Sequence, residues 1–361
     1  MRTAIIRSKE LDQETVCDAL ALFFSSDILS FEDISPVRLN TADVIIVDLC
    51  KAGDGDLHRL RARRAALEAF PRIAIVTRGH RTEIQQAEAL GFAYIHFADD
   101  PVGTLVKRVR DLGAPRPLYA LPDGFSRPLA AAYEKTSAVL EDMHLASITD
   151  SPIPVDRSKE AARDLLNVLE SDGVHAWLKA VKTHHSPTFG HSLEVAGLAG
   201  WFANELGWTR SECLQVTAGG LLHDIGKSRI PLAVLDKPDV LNEAERDLVR
   251  KHAEFGYQII KHRTEVDNET KEIVFFHHEL LDGSGYPFGL SADRNSLKVR
   301  LVTICDLYSA LTEERAYKET LSPRQAIAVM NKMDRKIDQD LYRTFRSLIL
   351  PREGFGRVQR A

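Results

Sequence analysis

The sequence predicts two domains of different class: a doubly wound α/β domain, then an all-α helical bundle. Up to about residue 112, short β-branched runs alternate with segments of helical period. From His175 to about Leu348 the pattern is helical almost throughout, with no strand-period segment, internal repeat or low-complexity tract. Between them, residues 114–128 read APRPLYALPDGFSRP, a proline-rich linker composition. The boundaries expected are 1–115 for the α/β domain, 116–172 for a helical linker and candidate dimerisation segment, and 173–361 for the bundle.

The first domain reads in order. Residues 3–7 suit a short strand, 14–24 a helix, and a weak strand is expected near Phe31. Val44-Ile45-Ile46-Val47-Asp48 is a β-branched run ending in an acid, as a buried parallel strand would. Residues 57–70 read as a helix, 72–77 as a second buried strand, and 82–90 as a helix stopped by Gly91. A last strand is expected over 92–97 and a last helix over 102–112. In the linker, helices over 129–144 and 158–169 flank the breaker TDSPIPVD; their apolar stripes suit a dimer or packing on the next domain.

This α/β order resembles a two-component receiver domain. Asp48 matches the phospho-acceptor position and Thr77 the switch hydroxyl. A receiver also needs an acidic pair after its first strand, where this chain has Arg7-Ser8-Lys9, and a lysine after its last, where it has His96-Phe97-Ala98. Without metal-binding carboxylates, phosphoryl transfer to Asp48 loses most of its electrostatic help. The expectation is a degenerate receiver used for contacts with a signalling protein. The plainer alternative is an α/β domain with an incidental strand-end acid.

Composition narrows the function. A chain of 361 residues, 44% hydrophobic and 27% charged, is ordinary for a globular protein with real cores. A net charge of -5 argues against a general DNA-binding role. Four scattered cysteines (Cys17, Cys50, Cys213 and Cys305) form no CxxC pair, which suits a reducing cytoplasm and excludes a cysteine zinc site. The first residues lack a signal-peptide pattern, and no run approaches the roughly 18 apolar residues of a membrane span.

Nine of the 13 histidines follow residue 174, several of them on apolar helical stripes. His191 aligns with Val195, Leu198 and Phe202; His223 and Asp224 follow Val216, Gly219 and Gly220. A helix capped by Asn242 and Glu245 carries Leu248, His252, Phe255 and Ile259 on one stripe. His277 and His278 follow Ile273 and Val274 by one turn, and Asp306 is in register with Val299 and Val302. Any one of these reads best as a satisfied core group. Seven unpartnered polar groups, at about 1–3 kcal/mol each, would outweigh a net stability of about 5–15 kcal/mol. A metal cluster resolves this, because imidazole and carboxylate become ligands.

The spacing resembles the HD-GYP family of the HD phosphohydrolase superfamily over roughly 180–345. His223-Asp224-Ile225-Gly226-Lys227 is an HDxGK motif, followed by HHELLDGSGYPFGL from His277 and ICDLYSALTEERAYK from Ile304. The resemblance implies a metal-dependent phosphodiesterase that hydrolyses cyclic di-GMP to linear pGpG and/or GMP. It implies metal ligands at His191, His223, Asp224, His252, His277, His278 and Asp306, with Asp224 bridging two ions. It also implies phosphate contacts from Lys227, Arg315 and Lys318, a catalytic part for Asp224 and Lys227, and a loop at Gly285 and Tyr286 beside the site. Nitrogen and carboxylate donors without thiolate suit iron or manganese and admit nickel, cobalt or zinc.

The chain departs from the family pattern in places. Members with a third metal carry a glutamate where this chain has Pro187, so two metals are expected. His184 and His185 lie nearby as surface or supporting residues. Ala253 and Ala316 replace prolines, the stretch 291–298 lacks the usual Ile-Pro, and Ser309 stands where an aspartate is common. Two competing readings stand beside the enzyme: a slow or inactive module that binds a nucleotide or protein, and an enzyme for another cyclic dinucleotide or phosphate ester.

Overall fold

The computed structural model describes residues 2–8, 16–17, 19–20, 23–113, 121–149, 151–183, 187–235, 237, 239–291, 294–313 and 320–350. It divides into two compact units. One comprises residues 1–120, 148–151 and 231–233; the other comprises 121–147, 152–230 and 234–361.

The first unit is built on five parallel strands, β1 (Arg2–Arg7), β2 (Ser25–Ser30), β3 (Val44–Asp48), β4 (Arg72–Val76) and β5 (Tyr94–Phe97), in the order β2-β1-β3-β4-β5. Every residue of β3 is buried, which its run of branched side chains requires. Helices α1 (Pro36–Leu39), α2 (Asp54–Ala62), α3 (Arg64–Glu68), α4 (Arg81–Ala89) and α5 (Val102–Leu112) accompany the sheet. Ile6, Ile45, Val47, Leu57, Leu60 and Ala74 share one apolar cluster.

Several element boundaries need correction. The weak strand expected near Phe31 is β2, which ends before that residue. The single helix expected over 57–70 is two helices meeting at Arg63, because residues 61–65 are all exposed and no apolar side chain anchors a straight continuation. Of the helix expected over 14–24, residues 14, 15, 18, 21 and 22 lie outside the described residues, and the described ones form turns and a short 3-10 segment, not an α-helix.

Asp48 is buried at the end of β3 and accepts a hydrogen bond from the Cys50 backbone N–H at 2.9 Å. Burial raises its carboxyl, and burial with the neighbouring Asp48 charge pushes the Cys50 thiol up to about 12.

The second unit is helical: α6 (Arg127–Thr149), α7 (Val155–Ser171), α8 (Val174–Val181), α9 (Pro187–Glu205) and α10 (Arg210–Leu222) come first. The short α11 (Leu232–Leu235) follows, then α12 (Glu243–Arg250), α13 (His252–Ile260), α14 (Asn268–Phe276), α15 (Leu297–Thr312), α16 (Pro323–Met330) and α17 (Gln339–Ile349). Val139, Met143 and Ala146 of α6 and Ala161 of α7 join one apolar cluster with Leu222, Ile225, Ile260 and Val274. Of the two roles open to the helices before residue 173, packing on the bundle is the one seen.

Met143 is fully buried in that cluster. Met143→Ala should therefore lower stability of the second unit's transition by about 2–5 kcal/mol in urea. A loss below about 1 kcal/mol would mean that α6 lies outside the cooperative core.

Candidate metal centre

The bundle brings all seven expected ligands together. Three overlapping triads, His191–His223–Asp306, His223–Asp224–His277 and His252–His277–His278, each gather their donor atoms within 4.8 Å of one another. His191 lies on α9 and Asp306 on α15; His223 is the C-cap of α10, with Asp224 next to it.

One expectation about the supporting helices changes. His252 does not continue one stripe from Leu248: α12 buries none of its residues and ends at Arg250, and His252 opens α13. The break lets the His252 Nδ1 meet the Val249 carbonyl at 2.6 Å. His277 and His278 also sit past the last turn of α14, with His277 as its C-cap. Helix ends place side chains inward here, where a continuous helix would turn one of two adjacent residues away.

Backbone carbonyls orient the rings. His223 Nδ1 faces Gly220 O at 2.7 Å, and His277 Nδ1 faces Ile273 O at 3.2 Å and Val274 O at 3.1 Å. A carbonyl only accepts, so each of these Nδ1 atoms carries the proton and leaves an Nε2 lone pair pointing inward. His252 and His277 then present Nε2 atoms to each other at 3.1 Å. Two lone pairs at that distance repel unless a cation or proton lies with them. The buried His223 Nε2 has no hydrogen-bond partner among the described residues. Thr303 Oγ1 donates to the His277 carbonyl at 2.8 Å and steadies that turn. Divalent metal ions fit this donor set, which presents inward lone pairs, two carboxylates and an otherwise orphaned ring nitrogen.

Asp224 sits between the two halves. Its Oδ2 lies 3.3 Å from His223 Nε2 and 3.7 Å from His191 Nε2, and its Oδ1 lies 3.3 Å from His252 Nε2. Asp306 divides in the same way: Oδ1 is 3.0 Å from His191 Nε2 and Oδ2 is 3.5 Å from His278 Nδ1. Burial alone would raise both acids, but the surrounding cationic and imidazole groups hold Asp224 well below the carboxylate range and Asp306 below it too.

Lys227 donates to Asp224 Oδ2 at 2.6 Å. It sits in a 3-10 turn over Ile225–Arg229, which Gly226 allows against α13: a Cβ there would lie 1.9 Å from the His252 carbonyl oxygen. Gly285 likewise admits no side chain, since its Cβ would come within 2.3 Å of the Leu280 N. The Tyr286 ring lies 4.6 Å from that of His278, so this loop does border the cluster. Arg315, Lys318, His184 and His185 lie outside the described residues.

Sequence reasoning passed over three supporting residues, Glu279, Glu194 and Thr303, and gave Ser309 no role. Glu279 accepts from the Phe288 N–H at 2.6 Å and the Leu290 N–H at 2.8 Å, pinning the Gly285–Tyr286 loop. Glu194 and Ser309 stand behind His191, and Thr303 behind His277. The only available signal was spacing, as Glu194 follows His191 by three residues on one helix.

Burial lowers His252, and burial with neighbouring imidazoles lowers His277 and His278. Unfolded imidazoles take a proton near pH 6.5, whereas these three resist it until lower pH. Below about pH 6.5 the unfolded state thus binds more protons, and stability falls as pH drops. His223 opposes this: burial lowers it, but Asp224 and Asp306 raise it overall. The metal-free protein should lose on the order of 1–3 kcal/mol per pH unit between about pH 6.5 and 5, read as a falling melting temperature. A constant or rising melting temperature would contradict the neutral, inward-facing imidazoles.

Residues 176–341 match the family model for the HD domain. The cyclic di-GMP phosphodiesterase PA4108 of Pseudomonas aeruginosa is 34% identical over 46% of this chain and 41% of its own length. The 3'3'-cGAMP-specific phosphodiesterase 3 of Vibrio cholerae is 36% identical over 44% of this chain and 34% of its own. The chain thus spans less than half the length of these two relatives. The cyclic di-GMP phosphodiesterase response regulator RpfG of Xanthomonas campestris is 29% identical over 88% of this chain and 77% of its own. Across residues 176–341 the HD-domain match coincides with the HDxGK and GYP motifs and with the converging candidate ligands, so this part of the chain is similar to the HD domain.

Proposed function

We propose that the chain is a metal-dependent phosphodiesterase that hydrolyses cyclic di-GMP to linear pGpG, or onward to GMP. The observation that carries this is Asp224, with one carboxylate oxygen toward His191 and His223 and the other toward His252. That arrangement suits a carboxylate bridging two ions, most consistent with iron or manganese. A bound metal pair supplies charge neutralisation on the phosphoryl oxygens and activation of a water.

The chain's own residues do the rest. His191, His223 and Asp306 would hold one ion, and His252, His277 and His278 the other. Lys227 keeps Asp224 ionised and aligned, and its ammonium stands ready to meet a phosphate oxygen at the cluster's edge. Tyr286 and Gly285 shape one wall, with Arg315 and Lys318 assigned to the substrate's phosphates. The printed activities of PA4108 and RpfG support cyclic di-GMP as substrate. The match to a 3'3'-cGAMP-specific enzyme supports that dinucleotide as the second reading.

The first unit, residues 1–115, is read as a degenerate receiver that contacts a signalling partner. Its parallel sheet order suits that fold class, and the long match to a response regulator supports it. A homodimer through 116–172 would use the faces of α6 and α7 turned away from the bundle core. No helix among the described residues is long and apolar enough to cross a membrane. The four free cysteines agree with a cytoplasmic setting.

Metal-loaded protein should convert cyclic di-GMP to pGpG or GMP on chromatography, and Asp224→Ala should abolish both turnover and metal binding. Turnover retained by Asp224→Ala would defeat the mechanism. Preferential conversion of 3'3'-cGAMP would favour the second substrate, and binding of nucleotide without any product would favour a binding module.

A further inference from the structure

The Nδ1 atoms of His223, His252 and His277 face backbone carbonyls, which fixes their tautomers. His191 is held differently. Its Nδ1 meets the Ser309 Oγ at 3.0 Å, and its Nε2 points to Asp306 Oδ1 at 3.0 Å. A hydroxyl both donates and accepts, so serine alone cannot decide which ring nitrogen carries the proton. If Ser309 donated to Nδ1, a proton would be left on Nε2, where a metal ligand needs a lone pair.

Glu194 resolves the ambiguity. Its Oε2 lies 3.1 Å from the same Ser309 Oγ, and a serine hydroxyl has only one proton to give. Given to Glu194, that proton leaves the oxygen lone pairs for the Nδ1–H of His191. Glu194 follows His191 by three residues on α9, and Ser309 is fully buried on α15, so both ends of the chain of bonds sit on rigid helices. Glu313 Oε2 is 3.9 Å from the same Nδ1, beyond hydrogen-bond reach.

We propose that Glu194 is a positioning residue that acts through Ser309 to keep the His191 proton on Nδ1 and its Nε2 free for a metal. The proposal rests on the metal-centre reading. It also gives Ser309 a role at a position where an aspartate would accept the Nδ1–H directly. Here a serine and a glutamate perform that task in two steps.

The test is Mn²⁺ affinity of the full chain, measured by competition with a chelator, with melting of the chelator-treated protein as the folding control. Glu194→Ala and Ser309→Ala should each weaken binding by about 10–100-fold, the range for loss of a ligand-orienting partner. The double variant Glu194→Ala/Ser309→Ala should be no weaker than either single one, because both act along one path. Glu194→Ala/Ser309→Asp should recover to within about 3-fold of wild type, since the new carboxylate accepts from His191 itself. Glu194→Gln, whose carbonyl still accepts the hydroxyl, should also stay within about 3-fold.

Additive losses would overturn the proposal. So would unaltered binding by Glu194→Ala, or a Glu194→Gln loss as large as that of alanine. Wild-type protein that binds no metal would defeat the metal-centre reading as well, whereas wild type and Glu194→Ala binding equally would defeat this proposal alone.

Discussion

The constraint on which the second unit depends is the burial of four imidazoles and two carboxylates at the centre of an apolar bundle, with the half-buried His278 beside them. The Nε2 atoms of His252 and His277 face each other at 3.1 Å, and His223 Nε2 has no hydrogen-bond partner among the described residues. Left alone, such groups cost about 1–3 kcal/mol each. Cations at the centre would turn that cost into ligand bonds. Metal uptake would then relieve a local destabilisation, linking binding to stability.

Helix ends are the means of convergence. His223 closes α10, His252 opens α13, and His277 and His278 follow α14. At these positions a ring can bond to a nearby carbonyl and still turn its far nitrogen inward. Gly226 lets the turn after Asp224 press against α13, and Glu279 ties the following loop back beside His278. In the first unit Asp48 is also buried at a strand end, where the Cys50 backbone N–H donates to it.

The strands were legible because β-branched runs such as Val44–Asp48 have few alternatives in a buried parallel sheet. The convergence of the seven candidate ligands was legible because polar residues on apolar stripes are conspicuous, and because the motif spacing is specific. Boundaries were less so. The breaks at Arg63 and Lys251 depend on which faces meet the core, a tertiary fact absent from local pattern. Glu194 looked like an ordinary helical acid, since its meaning comes from Ser309, distant in sequence and adjacent in space. The helices before residue 173 looked like a linker because their stripes named no partner. The partners, Leu222, Ile260 and Val274, lie far along the chain.

The central claim is a metal pair centred on Asp224. An anomalous-difference map from crystals of the full chain, purified and grown without oxygen, tests it most directly. The account predicts two peaks about 3.5–4 Å apart, one on each side of the Asp224 carboxylate. A third strong peak near Pro187, or no peak within reach of Asp224, would contradict it.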